Sequence, residues 1–322
     1  MKFVKFAKLA IGAMVVAGAL AQTSAFAQSV AVTSIVEHPA LDSIKDGVKD
    51  ALTKAGYTEA KGLKWQFQTA QGNTAIAAQI ARKFVGDNPD VIVAIATPSA
   101  QAVVAATKTI PVVYSAVTDP VAAQLIPSMA PSGTNVTGIS DSLVLEKQIE
   151  LIKKVVPNAK RVGMVYNPGE ANSVVVVKQL RELLPKAGMS LVEASAARTV
   201  DVGAAARSLV GKVDVIYTNT DNNVVSAYES LVKVGNDAKI PLVASDTDSV
   251  KRGAIAALGV NYYDLGVQTG KQVIKILRGQ KPGEMPSETS DKLELYVNPE
   301  AAKKQGITLT DAFVKSATKV VQ

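Results

Sequence analysis

Short apolar runs alternate with stretches of helical period along most of this chain. Val91–Ala96 is an unbroken run and Val112–Val113 another; such runs read as strands of a parallel sheet with helices on both faces. The pattern predicts strands at Val30–Val36, Leu63–Thr69, after Asp90 and from Ile110, with helices at Leu41–Ala55, Thr74–Val85 and Ser99–Thr107. It pauses at 134–140, a polar, Gly-containing stretch that reads as a crossing to a second lobe. Helices at Leu143–Val155, Asn172–Ala187, Val202–Val210 and Asn223–Asp237 then alternate with strands at Arg161–Tyr166, Ser190–Ala194, Val213–Thr218 and Ile240–Ala244. A strand at Ala254–Leu258, a helix at Asp264–Arg278, a breaker-rich connection from Pro282 to Pro286 and a strand at Lys292–Val297 follow. This is the order of an α/β protein.

Two stretches are versions of one another. The strand after Asp90 ends in Thr97-Pro98-Ser99, and a helix leads to Ile110-Pro111 and a strand closing on Thr118-Asp119. The strand after Asp214 ends in Thr220-Asp221-Asn222, and a helix leads to Ile240-Pro241 and a strand closing on Ser245-Asp246. Ligands of open α/β sheets sit beyond the carboxyl ends of the strands. Two half-units facing one another would therefore line one cleft with all four polar loops, and hinge closure would trap a molecule there.

Composition narrows the setting. Lys2, Lys5 and Lys8 precede an apolar run from Leu9 to Ala21 and a small-x-small site at Ala25-Phe26-Ala27, the signature of a secretory signal over residues 1–27. The run is too short for a membrane anchor. The chain has no cysteine, so no lipid-modified cysteine can tether it, and a free periplasmic product is expected. The formal charge is +7; the signal holds three lysines and no acids, which leaves +4 on the mature chain. No Lys/Arg-dense run is present, so nucleic acid is not an expected partner.

The runs Glu37-His38-Pro39-Ala40-Leu41-Asp42, Thr109-Ile-Pro-Val-Val113, Thr118-Asp-Pro-Val121, Gly133-Thr-Asn-Val-Thr-Gly138, Tyr166-Asn-Pro-Gly-Glu-Ala-Asn-Ser173 and Ser245-Asp246 resemble the tryptophan/tyrosine-type ABC-transporter substrate-binding family, in order and across the mature chain. That resemblance implies the type I periplasmic binding protein fold: two Rossmann-like lobes with parallel sheets, a three-strand hinge and a cleft between lobes. It also implies a division into 28–138 plus 253–283 and 139–252 plus 284–322, with the strand–helix pair near 253–283 returning to the first lobe. An inner-membrane ABC permease, a small-molecule solute, a monomer and no cofactor or metal are the expectations that go with it.

An amphoteric solute matches the loops. Ser99 can cap its helix, whose free N–H groups and positive end favour a carboxylate; Thr97, Ala116 and Thr118 add a hydroxyl edge and backbone donors, and Asp119 closes that loop. A buried ammonium needs a carboxylate. Asp246 and Asp221 follow strands, and each either meets the ammonium or caps a helix; by resemblance Asp246 is preferred. Thr220, Asn222 and Ser245 flank them. Asn167 and the loop Glu170-Ala171-Asn172-Ser173 offer a third polar edge beside Tyr166, although Glu170 and Ser173 equally suit the start of a helix. Tyr114, Tyr166 and Tyr217 stand at strand ends, as packing or as walls for an apolar or aromatic side chain, so that an aromatic or apolar L-amino acid is the expected solute. Glu37 and His38 overlook the same cleft, and Asp42 is the plain cap of the first helix.

Catalysis finds little support. One histidine and no cysteine leave no Cys–His pair, and no Gly-x-Ser-x-Gly elbow, Walker loop or Gly-x-Gly-x-x-Gly run occurs. The rivals are binding roles on the same fold: a sugar or nucleoside receptor, or a ligand sensor for a membrane kinase. A gene regulator would carry a helix-turn-helix where the signal stands.

Overall fold

A computed structural model describes residues 28–290 and 292–322; the signal expected at 1–27 lies outside the described residues. The first sheet takes β1 (Ser29–Ser34), β2 (Lys64–Thr69), β3 (Val91–Ile95), β4 (Val112–Ser115) and β5 (Val136–Ser140), with α1 (Pro39–Lys54), α2 (Thr74–Asp87) and α3 (Thr97–Ala106) between them. Every residue of β3 is buried, as a strand covered on both faces requires.

β5 corrects the expected pause at 134–140. Thr137 and Gly138 interrupt its apolar run, and the register pairs Gly138 with Tyr114 of β4. A Cβ at Gly138 would collide with the Tyr114 carbonyl and ring. The glycine that disguises the strand is the one its neighbour's ring demands.

The chain then enters a second sheet. α4 (Leu145–Val155) leads to β6 (Arg161–Tyr166), α5 (Ala171–Lys186), β7 (Ser190–Ser195), α6 (Val202–Ser208), β8 (Val215–Thr218), α7 (Asn222–Ser226), α8 (Tyr228–Ala238), β9 (Leu242–Ala244), α9 (Asp248–Lys251) and β10 (Ala256–Val260). The single helix expected over Asn223–Asp237 is broken at Ala227, whose backbone leaves the helical region. α10 (Tyr262–Leu277) returns to the first sheet, packing against α1, β3, β4 and β5. β11 (Glu288–Thr289) pairs with β5, and β12 (Leu293–Val297) pairs antiparallel with β10. α11 (Pro299–Lys304), α12 (Asp311–Lys315) and β13 (Lys319–Val320) complete the second sheet's side.

The strand orders are β11-β5-β4-β3-β1-β2 and β13-β12-β10-β9-β8-β6-β7. One correction to the expected division follows. The strand near 253–260 does not travel with its helix: β10 runs parallel to β9 in the second sheet, and only α10 returns. The physical reason is close backbone packing, since Gly259 lies against the Ser245 carbonyl and a side chain there would clash. α10 is held as closely on the other side, where Gly266 faces the Ile44 carbonyl of α1. Each sheet has its own apolar core, and the second has one on each face.

Candidate functional site: a cavity between the two sheets

A cavity of about 350 Å³ lies where strands of both sheets end. From the first sheet come His38 after β1, Ala96 and Thr97 after β3, Ala116 and Thr118 after β4, and Asp141 after β5. Thr220, Asn222 and Asp246 follow β8 and β9, with Asn172 from α5 and Tyr262 from α10. Leu41 and Val225 supply apolar wall. A second cavity of about 430 Å³ shares Thr118, Asp141 and Thr220 with the first and adds Asp119 and Ser245.

Backbone strain marks the first-sheet edge. Ala96 holds φ 71° and ψ 156°, a region that glycine alone adopts freely, and Ala116 is left-handed at φ 53°. Such residues cost roughly 1–3 kcal/mol each and gather at ligand clamps. Ala96 rather than Ser99 is the N-cap of α3, and no side chain caps it. The first helical bond runs from Ala100 N–H to Ala96 C=O, and Pro98 has no N–H, so the N–H groups of Thr97 and Ser99 precede the ladder. Ser99 itself is fully buried as the third helical residue.

Two acids also line the cavity, Asp141 from the first sheet's side and Asp246 from the second's. Asp141 is 4% exposed and Asp246 2%. Asp141 accepts from the Tyr262 hydroxyl at 2.9 Å and from Thr118 Oγ1 at 3.3 Å. Asp246 accepts from the Ser249 N–H at 2.8 Å and its hydroxyl at 2.6 Å. Burial raises both carboxyls above the ordinary aspartate range, and the charge of Asp246 adds to the rise at Asp141. Among the described residues no lysine or arginine lines the cavity. Arg252, the cation felt by Asp246, is held by Glu229 and the Val225 carbonyl. His38 is pushed down to about 3, first by burial and then by Arg252, so it is neutral at ordinary pH. Its Nδ1 accepts from the Leu41 N–H, which puts the ring proton on Nε2 and makes His38, not Asp42, the cap of α1.

Asn172 adds a neutral acceptor. Its Nδ2 donates to Glu170 Oε2 and to the Thr220 carbonyl, both at 3.1 Å, while its Oδ1 has no partner among the described residues.

Thr97, Ala116, Thr118, Thr220, Asn222 and Asp246, all expected at a cleft, line the first cavity; Asp119 and Ser245 line the second. Of the others, His38 lines the first cavity and Tyr217 the second, while Glu37, Ser99, Tyr114, Tyr166, Asn167, Glu170, Ser173 and Asp221 line neither. Glu37 is exposed, and the Tyr166 hydroxyl donates to Glu193. Asp221 is the cap of α7 and also accepts from the Asn167 N–H and the Ser173 hydroxyl. Glu170 accepts from Asn222 at 2.6 Å and from Asn172. These groups form a buried support behind Asn172, Thr220 and Asn222. Within it Glu170 is pushed up to about 7 by burial and then by the charge of Asp221. Asn172, expected in the polar loop 170–173, does line the first cavity, whereas Asp141 and Tyr262 are polar site residues the sequence reading did not include.

Two sheets joined by three crossings, with a polar cavity between their strand ends, define a type I periplasmic binding protein, a class of binding proteins and not enzymes. The family model for ABC transporter substrate binding proteins matches residues 29–321, and the chain belongs to that family. It is 42% identical over 276 residues to a tyrosine-binding protein of Clostridioides difficile, covering 86% of this chain and 80% of that one. A conserved domain protein of Vibrio cholerae superposes with a TM-score of 0.90 at 49% identity, over 91% of this chain and 99% of that one. A Streptococcus ABC domain in complex with L-Trp gives 0.88 at 33% identity, over 91% and 99%. A ligand-free, open substrate binding protein with adhesive properties from Clostridium difficile gives only 0.69 at 40% identity, over 92% and 99%.

The protein is thus the solute-binding component of an ABC transporter, with a small-molecule solute and a permease as partners. Binding proteins of this kind are typically extracytoplasmic, and among the described residues no helix is long and apolar enough to cross a membrane.

Proposed function

We propose that the 350 Å³ cavity captures an aromatic L-amino acid between the lobes for import through an inner-membrane permease. The observation that carries this reading is the polarity of the cavity. A helix N-terminus with two N–H groups outside the ladder and two buried aspartates line the same cavity, with no lining cation among the described residues. The α-carboxylate faces the Thr97 and Ser99 N–H groups, Ala116 and Thr118. The α-ammonium faces Asp141, Asp246 and Asn172 Oδ1, where it relieves the cost of two buried carboxylates. A sugar has no charge to satisfy either. The tyrosine- and tryptophan-binding relatives support an aromatic side chain, and Leu41, Val225 and the Tyr262 ring offer apolar wall. The receptor acts as a periplasmic monomer, without a lipid anchor.

The test is a thermal-shift screen of protein unfolded and refolded to remove carried-over ligand, run against L-amino acids, sugars and nucleosides. A solute at about 100 times its Kd adds roughly 2.7 kcal/mol. A response confined to aromatic L-amino acids is expected. A response to sugars or nucleosides with silence across amino acids would overturn the assignment.

A further inference from the structure

The second cavity holds two buried polar atoms with no partner among the described residues, Asn219 Oδ1 and Ser245 Oγ. Both residues are 2% exposed. Ser245 Oγ has the Tyr217 hydroxyl beside it in the same cavity, whereas nothing among the described residues donates to Asn219 Oδ1; a buried acceptor left unmade is costly and calls for a donor from outside the chain.

The hydrogen-bond network fixes which end of the Asn219 amide is free. Asp221 Oδ2 accepts the Asn167 N–H at 2.7 Å and the Ser173 hydroxyl at 2.6 Å. With its proton committed to Asp221, Ser173 Oγ can only accept, and Asn219 Nδ2 donates to it at 3.1 Å. The carbonyl end of Asn219 is left over as a pure acceptor. Leu143, Leu145, Val175, Val176 and the Tyr217 ring give the cavity an apolar wall, beside Ser142 and Gln179.

Thr118, Asp141 and Thr220 line both cavities. The hydroxyls of Thr118 and Thr220 meet across the lobes at 3.4 Å, the weak limit of hydrogen bonding, so parting them costs little. Accordingly, we propose that the second cavity is the distal compartment of the solute site, in which Asn219 Oδ1 and Ser245 Oγ accept the donor at the far end of the solute, a phenol hydroxyl or an indole N–H. The assignment rests on the aromatic amino-acid reading of the first cavity. It adds a selection rule: solutes with a distal donor are preferred over phenylalanine, which has the ring and no donor.

Calorimetric titration with L-Tyr, L-Trp and L-Phe tests it, on wild type, Asn219→Leu and Ser245→Ala. Within the described chain the Ser245 hydroxyl has only the Tyr217 hydroxyl beside it, so the alanine variant disturbs the fold least and serves if the leucine variant does not fold. Wild type is expected to bind L-Tyr or L-Trp at least about ten-fold more tightly than L-Phe, since a site built for a donor rejects the analogue lacking it. Each variant is expected to narrow that ratio several-fold. If both variants weaken all three solutes by one common factor, or weaken none, the distal compartment is wrong while the amino-acid reading stands. If wild type binds no aromatic amino acid, the reading of the first cavity fails, and this assignment with it.

Discussion

The Tyr262 hydroxyl donates a 2.9 Å hydrogen bond to Asp141 Oδ2, joining residues 121 apart in sequence. Asp141 stands where the chain leaves the first sheet after β5, and Tyr262 where it returns after β10. The bond therefore ties two of the three crossings together at the wall of the cavity. A hinge motion that alters the crossings alters the placement of this carboxylate, which couples lobe closure to the proposed ammonium site.

Tyr262→Phe removes the donor and keeps the ring. Asp141 then retains Thr118 Oγ1 at 3.3 Å as its one side-chain donor, and its carboxyl rises further above the aspartate range. Loss of a charge-assisted hydrogen bond is worth about 1.5–3 kcal/mol, so amino-acid affinity should fall roughly ten-fold or more at pH 7. Calorimetry on wild type and variant checks this; equal affinities would show that the Tyr262 bond does not position Asp141 for the solute.

Asp141→Asn and Asp246→Asn should move affinity and stability in opposite directions. Each removes one of two buried carboxylates, which repel in the absence of a cation. An asparagine at 141 can still accept from Tyr262 and can donate to Thr118, so no hydrogen bond is lost. The ligand-free protein should therefore melt higher as Asp141→Asn, while amino-acid affinity falls by about 2 kcal/mol or more in both variants, the scale for truncating a buried charge pair. Equal affinities of Asp246→Asn and wild type would remove Asp246 from the ammonium site.

Strand-end logic was enough to place Thr97, Thr118, Thr220 and Asp246 at the cavity, because continuous apolar runs announce their strands and the polar residues after them have nowhere else to go. Asp141 obeys the same rule and was missed because its strand was. Thr137 and Gly138 break the run, and only the Tyr114 ring on the neighbouring strand explains them. Ile139-Ser140-Asp141 does repeat the strand, hydroxyl, acid ending of Ser245-Asp246, which was the available signal. Glu170, Ser173 and Asp221 share the chemistry of ligand residues but bond within the wall instead, Ser173 to Asp221 and Glu170 to Asn222; which acid faces a ligand and which supports the wall is a question of partners, and partners are tertiary.

Glu170 and His38 set opposing pH dependences. Glu170 moves from 4.5 to about 7 on folding, so the folded state binds the extra proton between those values and stability falls as pH rises through that window. His38 moves from 6.5 to about 3, so the unfolded state binds the extra proton and stability falls as pH drops below 6.5. Between about 4.5 and 6.5 the two slopes cancel in part. Glu170→Gln fixes the neutral form: relative to the variant, wild type should lose stability from pH 4.5 to 7 and run parallel above it. Chemical denaturation across that range reads this directly, and a constant offset would show that Glu170 is ionised throughout.

Gly266→Ala tests how α10 is anchored. This helix crosses back to the first sheet immediately after Tyr262, so its seat on α1 fixes where Tyr262, and through it Asp141, stands. At Gly266 a methyl group would meet the Ile44 carbonyl and Cα of α1, and at Gly47 the reciprocal contact is the Tyr263 carbonyl. Backbone cannot rotate away as a side chain can, so the helices have to separate. Overpacking of that kind costs typically 1–3 kcal/mol, against which alanine's helix propensity returns up to about 1 kcal/mol. The urea midpoint should therefore fall, and amino-acid affinity should fall with it because Tyr262 moves. Gly279→Ala is the control: nothing lies near its Cβ, so strain from its φ of 98° should lower the midpoint and leave affinity as it was. Affinity unchanged in Gly266→Ala, at a lowered midpoint, would show that the α1–α10 seat stabilises the lobe without positioning the site.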